Sequence, residues 1–331
     1  MRRMLFVALL LVLGSIGSAH AFNGTCSLQI PDANFGALLF PVTSTSQIDN
    51  LATISCTGIT DPYIKYCGLS IGAGVSGDIN NRAIVSDGHR FQYSIMNGGN
   101  NQVGSIYYPG SQPLATSVYF SPDGNGNYTN TLLLSFILAA GQTAAYAGNY
   151  QDSYAGTEAE FRYSTCSNAN GDCMVDCSNN ASLYKATTTS FRVSGTLAPV
   201  CQFSTARNWN LGSVGLITAP IQFSRLMLVT CTVGLPYTVS SSAGSETSGT
   251  STVADRVLAT APLGPDLVHY NLFTDAGMSS IFGDGSQGTS VITGTGTGAA
   301  VSYQIYGAIP VPARQVAPGL YRSVVPITIT Y

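Results

Sequence analysis

Charge is scarce in this sequence, with 13 Lys and Arg against 16 Asp and Glu. Only two lysines occur, Lys65 and Lys185, and charged residues make up 9% of the chain, against about 25% in an ordinary globular protein. No basic patch exists to neutralise phosphates, so nucleic acid is excluded as a partner. Apolar runs are also short. None reaches the roughly 18 residues that would span a bilayer as a helix. Histidine is scarce, with three in the chain. No paired Cys-x2-Cys knuckles occur, so neither a zinc site nor any other metal or cofactor is expected. Solubility has to come from Asn, Ser, Thr and the 36 glycines, alongside 18 tyrosines.

The first residues form an export signal. Arg2 and Arg3 precede the apolar run Met4 to Leu13, and Ala19-His20-Ala21 reads as a cleavage site. Residues 1–21 are therefore expected to be removed, leaving a mature chain that starts at Phe22 and lies outside the cytoplasm. His89 and His269 are the histidines left after cleavage. The eight cysteines, Cys26, Cys56, Cys67, Cys166, Cys173, Cys177, Cys201 and Cys231, all follow this segment. An even number in an exported chain predicts disulfides.

Cysteine spacing exposes an internal repeat. Cys26 and Cys56 are 30 residues apart, as are Cys201 and Cys231, and each pair is expected to form a disulfide. An Asn-x-Gly follows the first Cys in each copy, as Asn34-Phe35-Gly36 and Asn210-Leu211-Gly212. Residues 89–95 line up with 268–273, and 132–153 with 300–323. These segments alternate apolar and polar residues between Gly, Asn and Pro clusters, which predicts short strands and an all-β sandwich in each copy. The copies are expected to divide near Ser194 to Pro199, as residues 22–195 and 196–331. Cys67, Cys166, Cys173 and Cys177 are expected to pair among themselves, in one of three connectivities.

The second copy resembles a known family. His269-Tyr270-Asn271-Leu272-Phe273-Thr274-Asp275-Ala276-Gly277, then Phe282-Gly283-Asp284-Gly285, Tyr303-Gln304-Ile305-Tyr306-Gly307 and Pro318-Gly319-Leu320-Tyr321 through Ile327-Thr328-Ile329-Thr330-Tyr331 are similar to the spore coat protein U domain. The aromatic before Gly283 is commonly Trp in that family and is Phe282 here. The first copy matches more loosely, over Cys26–Cys56, 89–95 and 132–163. The resemblance implies a subunit of an archaic chaperone–usher pilus. Two immunoglobulin-like sandwiches in tandem are then expected, the C-terminal one incomplete and completed by a donor strand or a chaperone. Expected partners are a periplasmic chaperone, an outer-membrane usher and the adjacent subunit that donates the strand. Only Phe22 to Thr25 precede Cys26 in the mature chain, which leaves no donor strand. That implies a tip adhesin, exposed at the cell surface at the pilus tip and active in attachment and biofilm formation.

Adhesive contacts with an abiotic hydrophobic surface or a host receptor are expected on apolar loops of the first domain. Three loops are candidates: Leu38, Leu39, Phe40 and Val42; Ile106, Tyr107 and Tyr108; and Ala140, Ala145 and Tyr146. Leu38 to Phe40 also read as a core strand, Ile106 to Tyr108 as an edge strand, and the third loop as scaffold because the second copy repeats it. A glycan-binding tip would use Tyr107, Tyr108, Tyr146, Asn100 and Asn101. A shaft or coat subunit is a further alternative, against which the missing donor strand argues. An enzyme is not expected. There is no Gly-x-Ser-x-Gly elbow, His269 falls on an expected scaffold strand, and Glu158 and Glu160, near Asp152, read as a solvated strand face rather than a catalytic pair. Sequons at Asn23, Asn127 and Asn180 are expected to be idle.

Overall fold

A computed structural model describes residues 24–108, 111–114, 118–142, 146–167, 184–203, 208–244, 250–260 and 266–331. The expected cleavage segment, Asn23, Pro109, Gly110, Ala145, Cys173, Cys177 and Asn180 lie outside these. The first half is built from β1 (Thr25–Gln29), β2 (Ala33–Ala37), β3 (Ser46–Thr57), β4 (Tyr63–Ile71), β5 (Ala83–Ser86), β6 (His89–Asn97), β7 (Val118–Phe120), β8 (Tyr128–Leu138), β9 (Gly148–Tyr154), β10 (Ala159–Cys166), β11 (Lys185–Thr188) and β12 (Phe191–Leu197). The second contains β13 (Cys201–Phe203), β14 (Ile221–Cys231), β15 (Pro236–Ser241), β16 (Arg256–Leu258), β17 (Val268–Phe273), β18 (Ile292–Thr295), β19 (Ala300–Ile309) and β20 (Ile327–Thr330). Among the described residues the only helical elements are two short 3-10 turns, at 74–76 and 156–158.

Alternation sets the strands. β12 reads Phe191, Val193, Gly195, Leu197 inward, with Arg192 and Thr196 outward, as period-2 packing on one buried face requires. The first domain packs a sheet ordered β1-β3-β8-β6-β5-β9-β12-β2 against a sheet ordered β11-β10-β4-β7. The second packs β13-β14-β19-β17-β16 against β18-β15-β20. Each domain encloses its own apolar core, one built from residues 26–197 and one from 201–329. These are two immunoglobulin-like sandwiches in tandem, as the repeat and the resemblance predicted.

The expected disulfides join neighbouring strands. Cys26–Cys56 links β1 to β3 and Cys201–Cys231 links β13 to β14, each closing 30 residues. Cys67 and Cys166 are both disulfide-bonded. Cys173 and Cys177 fall outside the described residues, so the expected connectivity among the four does too.

Side-chain hydrogen bonds show how deep the duplication runs. Tyr150 Oη donates to Tyr146 O at 2.7 Å, and Tyr321 Oη to Ala317 O at 2.8 Å. Both reach back four residues, the corner that opens the sixth strand of such sandwiches. Arg82 and Arg256 are both fully buried. Arg82 donates to the carbonyls of Ile71, Gly72 and Val103 at 2.6–2.8 Å. Arg256 donates to Ser242 O, Phe282 O and Ser241 Oγ at 2.8–2.9 Å. Each guanidinium thus ties the end of one strand to the loop opposite, satisfying buried carbonyls that would otherwise cost stability. These anchors correct the residue matching of one segment. Arg82 lies across from Tyr93, whose N–H donates to Arg82 O, as Arg256 lies across from Tyr270. Tyr93 therefore corresponds to Tyr270, a shift of two residues from the expected matching of 89–95 with 268–273. A slip of two keeps every side chain on its face, so alternation could not reveal it.

Candidate functional site

The first sandwich is closed by its own last strand. β12 runs antiparallel to β9 from Phe191↔Tyr154 to Leu197↔Gly148, and parallel to β2 through Val193↔Ala33 and Ser194↔Asn34. It fills the slot between them with side chains. Phe191 stacks on Tyr154 at 4.6 Å and meets Phe136 edge-on at 5.9 Å. Leu38 lies against Gly195, where an added Cβ would come within 3.1 Å of its methyl groups.

In the second sandwich the corresponding slot is open. Tyr321 matches Tyr150, so the stretch 319–325 takes the place of β9. Among the described residues its backbone is held on one side only, by paired bonds between Ala259 and Arg322 at 3.0 and 3.2 Å. Asn210 matches Asn34. Each accepts the N–H of the glycine two residues on, at 2.9 and 2.8 Å, so Trp209-Asn210-Leu211 takes the place of β2. Between these walls lies a groove of about 530 Å³. Trp209 and Leu211 form one wall, and Ser323, Val325 and Ile327 the other. Phe223, Met227, Tyr270, Leu272, Ile305 and Ile309 form the floor. β20 is an edge strand of its sheet, and Ile327 and Ile329 are only half-buried. A strand in this position within a complete sandwich is enclosed, as β10 is along its whole length. An apolar groove beside an unpaired edge is a site for strand addition.

Two substitutions between the copies shape the floor. Phe136 of β8 is replaced by Gly307 of β19, and its cross-strand partner Ile48 by Phe223. The Phe223 ring lies over Gly307 so closely that no Cβ fits there. Trp209 meets that ring edge-on at 5.2 Å. The sequence resemblance implies an incomplete second domain, but it does not name the residues that wall the groove. The single Trp immediately before Asn-x-Gly, where the first copy has Ala33, was the signal available.

The predicted contact loops do not sit together. Leu38 N–H donates to Thr196 O, Val42 bridges Gln142, and Tyr146 bridges Val233 of the second domain. Two of the three loops therefore gather at the joint between domains, beside the connecting residues Ala198, Pro199 and Val200. Val42 is a core residue at 5% exposure, which corrects its assignment to a contact surface. Leu38 and Phe40 are half-buried against the same core, which leaves Leu39, 74% exposed, and Ala140 open. Tyr146 is committed to the joint. Its ring stacks on His89 at 3.6 Å and covers Gly234, where a Cβ would lie 2.8 Å away.

Ile106, Tyr107 and Tyr108 occupy the flank, at the Ile71 end of β4. Tyr108 Oη donates to Glu158 at 3.1 Å, and Tyr107 Oη to both oxygens of Glu160 at 3.0–3.1 Å. Glu160 also pairs closely with Arg162, whose guanidinium lies 5.0 Å from the Tyr107 ring and 4.3 Å from that of Tyr184. Glu160 is thus a buried ion-pair partner, and Glu158 sits in a 3-10 turn accepting the Gly74 N–H at 2.9 Å. Both findings correct the expectation of a solvated strand face. Asp152 is fully buried and accepts from Val75 N–H, Tyr93 Oη and Tyr154 Oη at 2.7–3.0 Å. Burial pushes its carboxyl above the usual range, partly offset by these donors. His269 is exposed on β17 with Nδ1 2.9 Å from Asp255, a surface pair. Asn100 and Asn101 form an exposed turn after β6. Among the described residues, no group of three or more His, Cys, Asp or Glu could hold a metal, and no helix is long and apolar enough to cross a membrane.

The far end of the first domain is set by β3. It begins at Ser46↔Leu138 beside the joint and ends at Thr57, roughly 35 Å away at about 3.3 Å per residue. There the loops after β3 and β7 meet, with Ile59 N–H donating to Gly126 O at 3.0 Å. Thr60, Asp123, Asn125 and Asn127 are exposed on them, and Ile59 is buried.

The fold and the open slot define a class: tandem sandwiches of which one lacks a strand. Residues 187–328 match the family described as "Spore Coat Protein U domain". That match begins in the last strands of the first domain and covers most of the second. The chain is also similar to a chain of the CsuC–CsuE chaperone–tip adhesion subunit pre-assembly complex from archaic Csu pili of Acinetobacter baumannii. Identity is 16%, over 92% of this chain and 100% of that one, with a TM-score of 0.50. A weaker likeness is to the CupB6 tip adhesin of Pseudomonas aeruginosa, with 12% identity over 94% of this chain and 95% of that one and a TM-score of 0.39. No curated protein sequence matches the chain.

Proposed function

We propose that the chain is a tip adhesin of an archaic chaperone–usher pilus, with the first domain making contact and the second accepting a strand from the neighbouring subunit. One observation carries this reading. The slot that β12 fills in the first domain is open in the second, apolar along its floor, and it continues to the edge strand β20, whose counterpart β10 is covered by β11. A free edge of this kind invites aggregation unless another chain covers it. A periplasmic chaperone would cover it after export, and an outer-membrane usher would then exchange it for the adjacent subunit's strand. The likeness in fold to a chaperone–tip adhesion subunit complex supports the reading. The first domain, closed by its own β12, is free to present a surface outward; because β12 runs to Leu197, we move the division from the expected 195/196 to residues 198–200.

We place the adhesive surface at the far end of the first domain, serving attachment and biofilm formation. Apolar contact with an abiotic surface or host receptor would then rest on residues other than those gathered at the joint. Of the predicted apolar set, Tyr107 is the one that is both exposed and away from the joint. The exposed polar residues of the far-end loops favour a second reading, a glycan-binding tip. Immunogold labelling tests the assignment. Label at fibre ends supports it, and label along the shafts would replace it with a shaft subunit. Glycan competition against detergent sensitivity separates the two ligand classes.

A further inference from the structure

The first domain shows in detail how a strand occupies this slot, because β12 is a resident example. We infer that the second domain selects its incoming strand by size at one position. That position lies between Trp209 and Ser323 and accepts glycine or alanine. The inference rests on the strand-accepting reading above and adds the side-chain chemistry of the occupant.

The anchors locate the position. In the first domain Val193 pairs with Ala33 on one side and Asp152 on the other. Ala33 and Val193 are both fully buried and face the core. The shared Asn-x-Gly turn makes Trp209 the counterpart of Ala33. The corner tyrosines make Ser323 the counterpart of Asp152. Indole therefore stands where the first domain has a single methyl group. Trp209 lines the groove and packs on Phe223, which is itself pressed onto Gly307, so the indole has little room to retreat. A β-branched or aromatic residue opposite it would overpack the site. The first domain uses the same device one step along the strand, where Gly195 leaves room for Leu38. The occupant is thus an extended segment with apolar residues at alternate positions, antiparallel to 319–325 and parallel to 209–211, with a small residue facing Trp209.

The full chain, extended beyond Tyr331 by a flexible linker and a copy of the segment Lys185–Leu197, tests this. The copied Val193 position carries Gly, Ala, Val or Phe. Readouts are the thermal midpoint and the emission of Trp209, the single tryptophan in the chain. Gly and Ala copies should raise the midpoint above the Phe copy by about 5 °C or more, with a blue shift in emission. In a Trp209→Ala background the order should reverse, because the larger residue now fills the vacated space. The same order in both backgrounds would overturn size selection while leaving the strand-accepting reading intact. If no copy moves either the midpoint or the emission, the strand-accepting reading itself falls.

Discussion

Gly234 lies at the joint in a conformation and a contact that both exclude a side chain, which makes Gly234→Ala a quantitative test of domain docking. Its φ is +76°, where an L-residue costs about 1 kcal/mol relative to glycine. Its added methyl would also sit 2.8 Å from the Tyr146 ring. That ring cannot simply withdraw, because His89 is stacked behind it at 3.6 Å. The joint must open instead. If the contact covers roughly 80 Å² of ring, opening it forfeits about 2 kcal/mol. Gly234→Ala should therefore cost the second domain about 3 kcal/mol in the parent chain. In a Tyr146→Ala background it should cost only about 1 kcal/mol, since the backbone cost alone remains. Urea unfolding followed by Trp209, which packs against the second core, reads this domain selectively. A coupling energy below about 0.5 kcal/mol, the ordinary scatter for independent sites, would refute the docked joint.

Gly307→Ala should destabilise the second domain by about 1–3 kcal/mol through overpacking against Phe223. Adding Phe223→Ala should restore most of that loss in the same unfolding experiment. Arg82→Met and Arg256→Met each remove three charge-assisted hydrogen bonds inside a core, so each should cost about 3 kcal/mol or more in its own domain. Losses under about 1 kcal/mol would show the clamps to be dispensable. Replacing Cys201 and Cys231 by alanine should lower stability by about 3–4 kcal/mol on the loop-entropy model, measured as a fall in urea midpoint. Asp152 titrates higher in the folded than in the unfolded chain because it is buried. The folded state is then the stronger proton binder, and stability attributable to this group is greatest below the unfolded value near 3.9 and falls as pH rises. The stability of the parent relative to Asp152→Asn should therefore decline as pH rises above about 4. A difference that rises with pH would contradict that sign.

Much of the architecture was legible because it is local. Strand alternation follows from side chains pointing to opposite faces every residue, and β12 and β19 show it plainly. Equal cysteine spacing signalled the duplication because a disulfide between adjacent strands fixes where the chain must return. The loops were harder. Leu38, Phe40 and Val42 were read as candidate contacts on apolarity alone, but a short apolar run carries no sign of which way it faces. Packing against Gly195 and the bridge to Gln142 turned them inward. Glu158 and Glu160 resembled a solvent-facing pair because alternation cannot report a partner such as Arg162 or Gly74 N–H supplied from elsewhere.

By itself the sequence determined the all-β class, the doubling and the two strand-linking disulfides, since periodicity and spacing are properties of neighbouring residues. Only the tertiary structure decided that Arg82 and Arg256 are matched clamps, that Tyr146 belongs to the joint, and that Trp209 walls an open slot. Each of these depends on groups brought together from distant parts of the chain. The physical reason is that a residue's own chemistry states what it can bond to, whereas burial and partner choice are settled by which strands the fold places beside it.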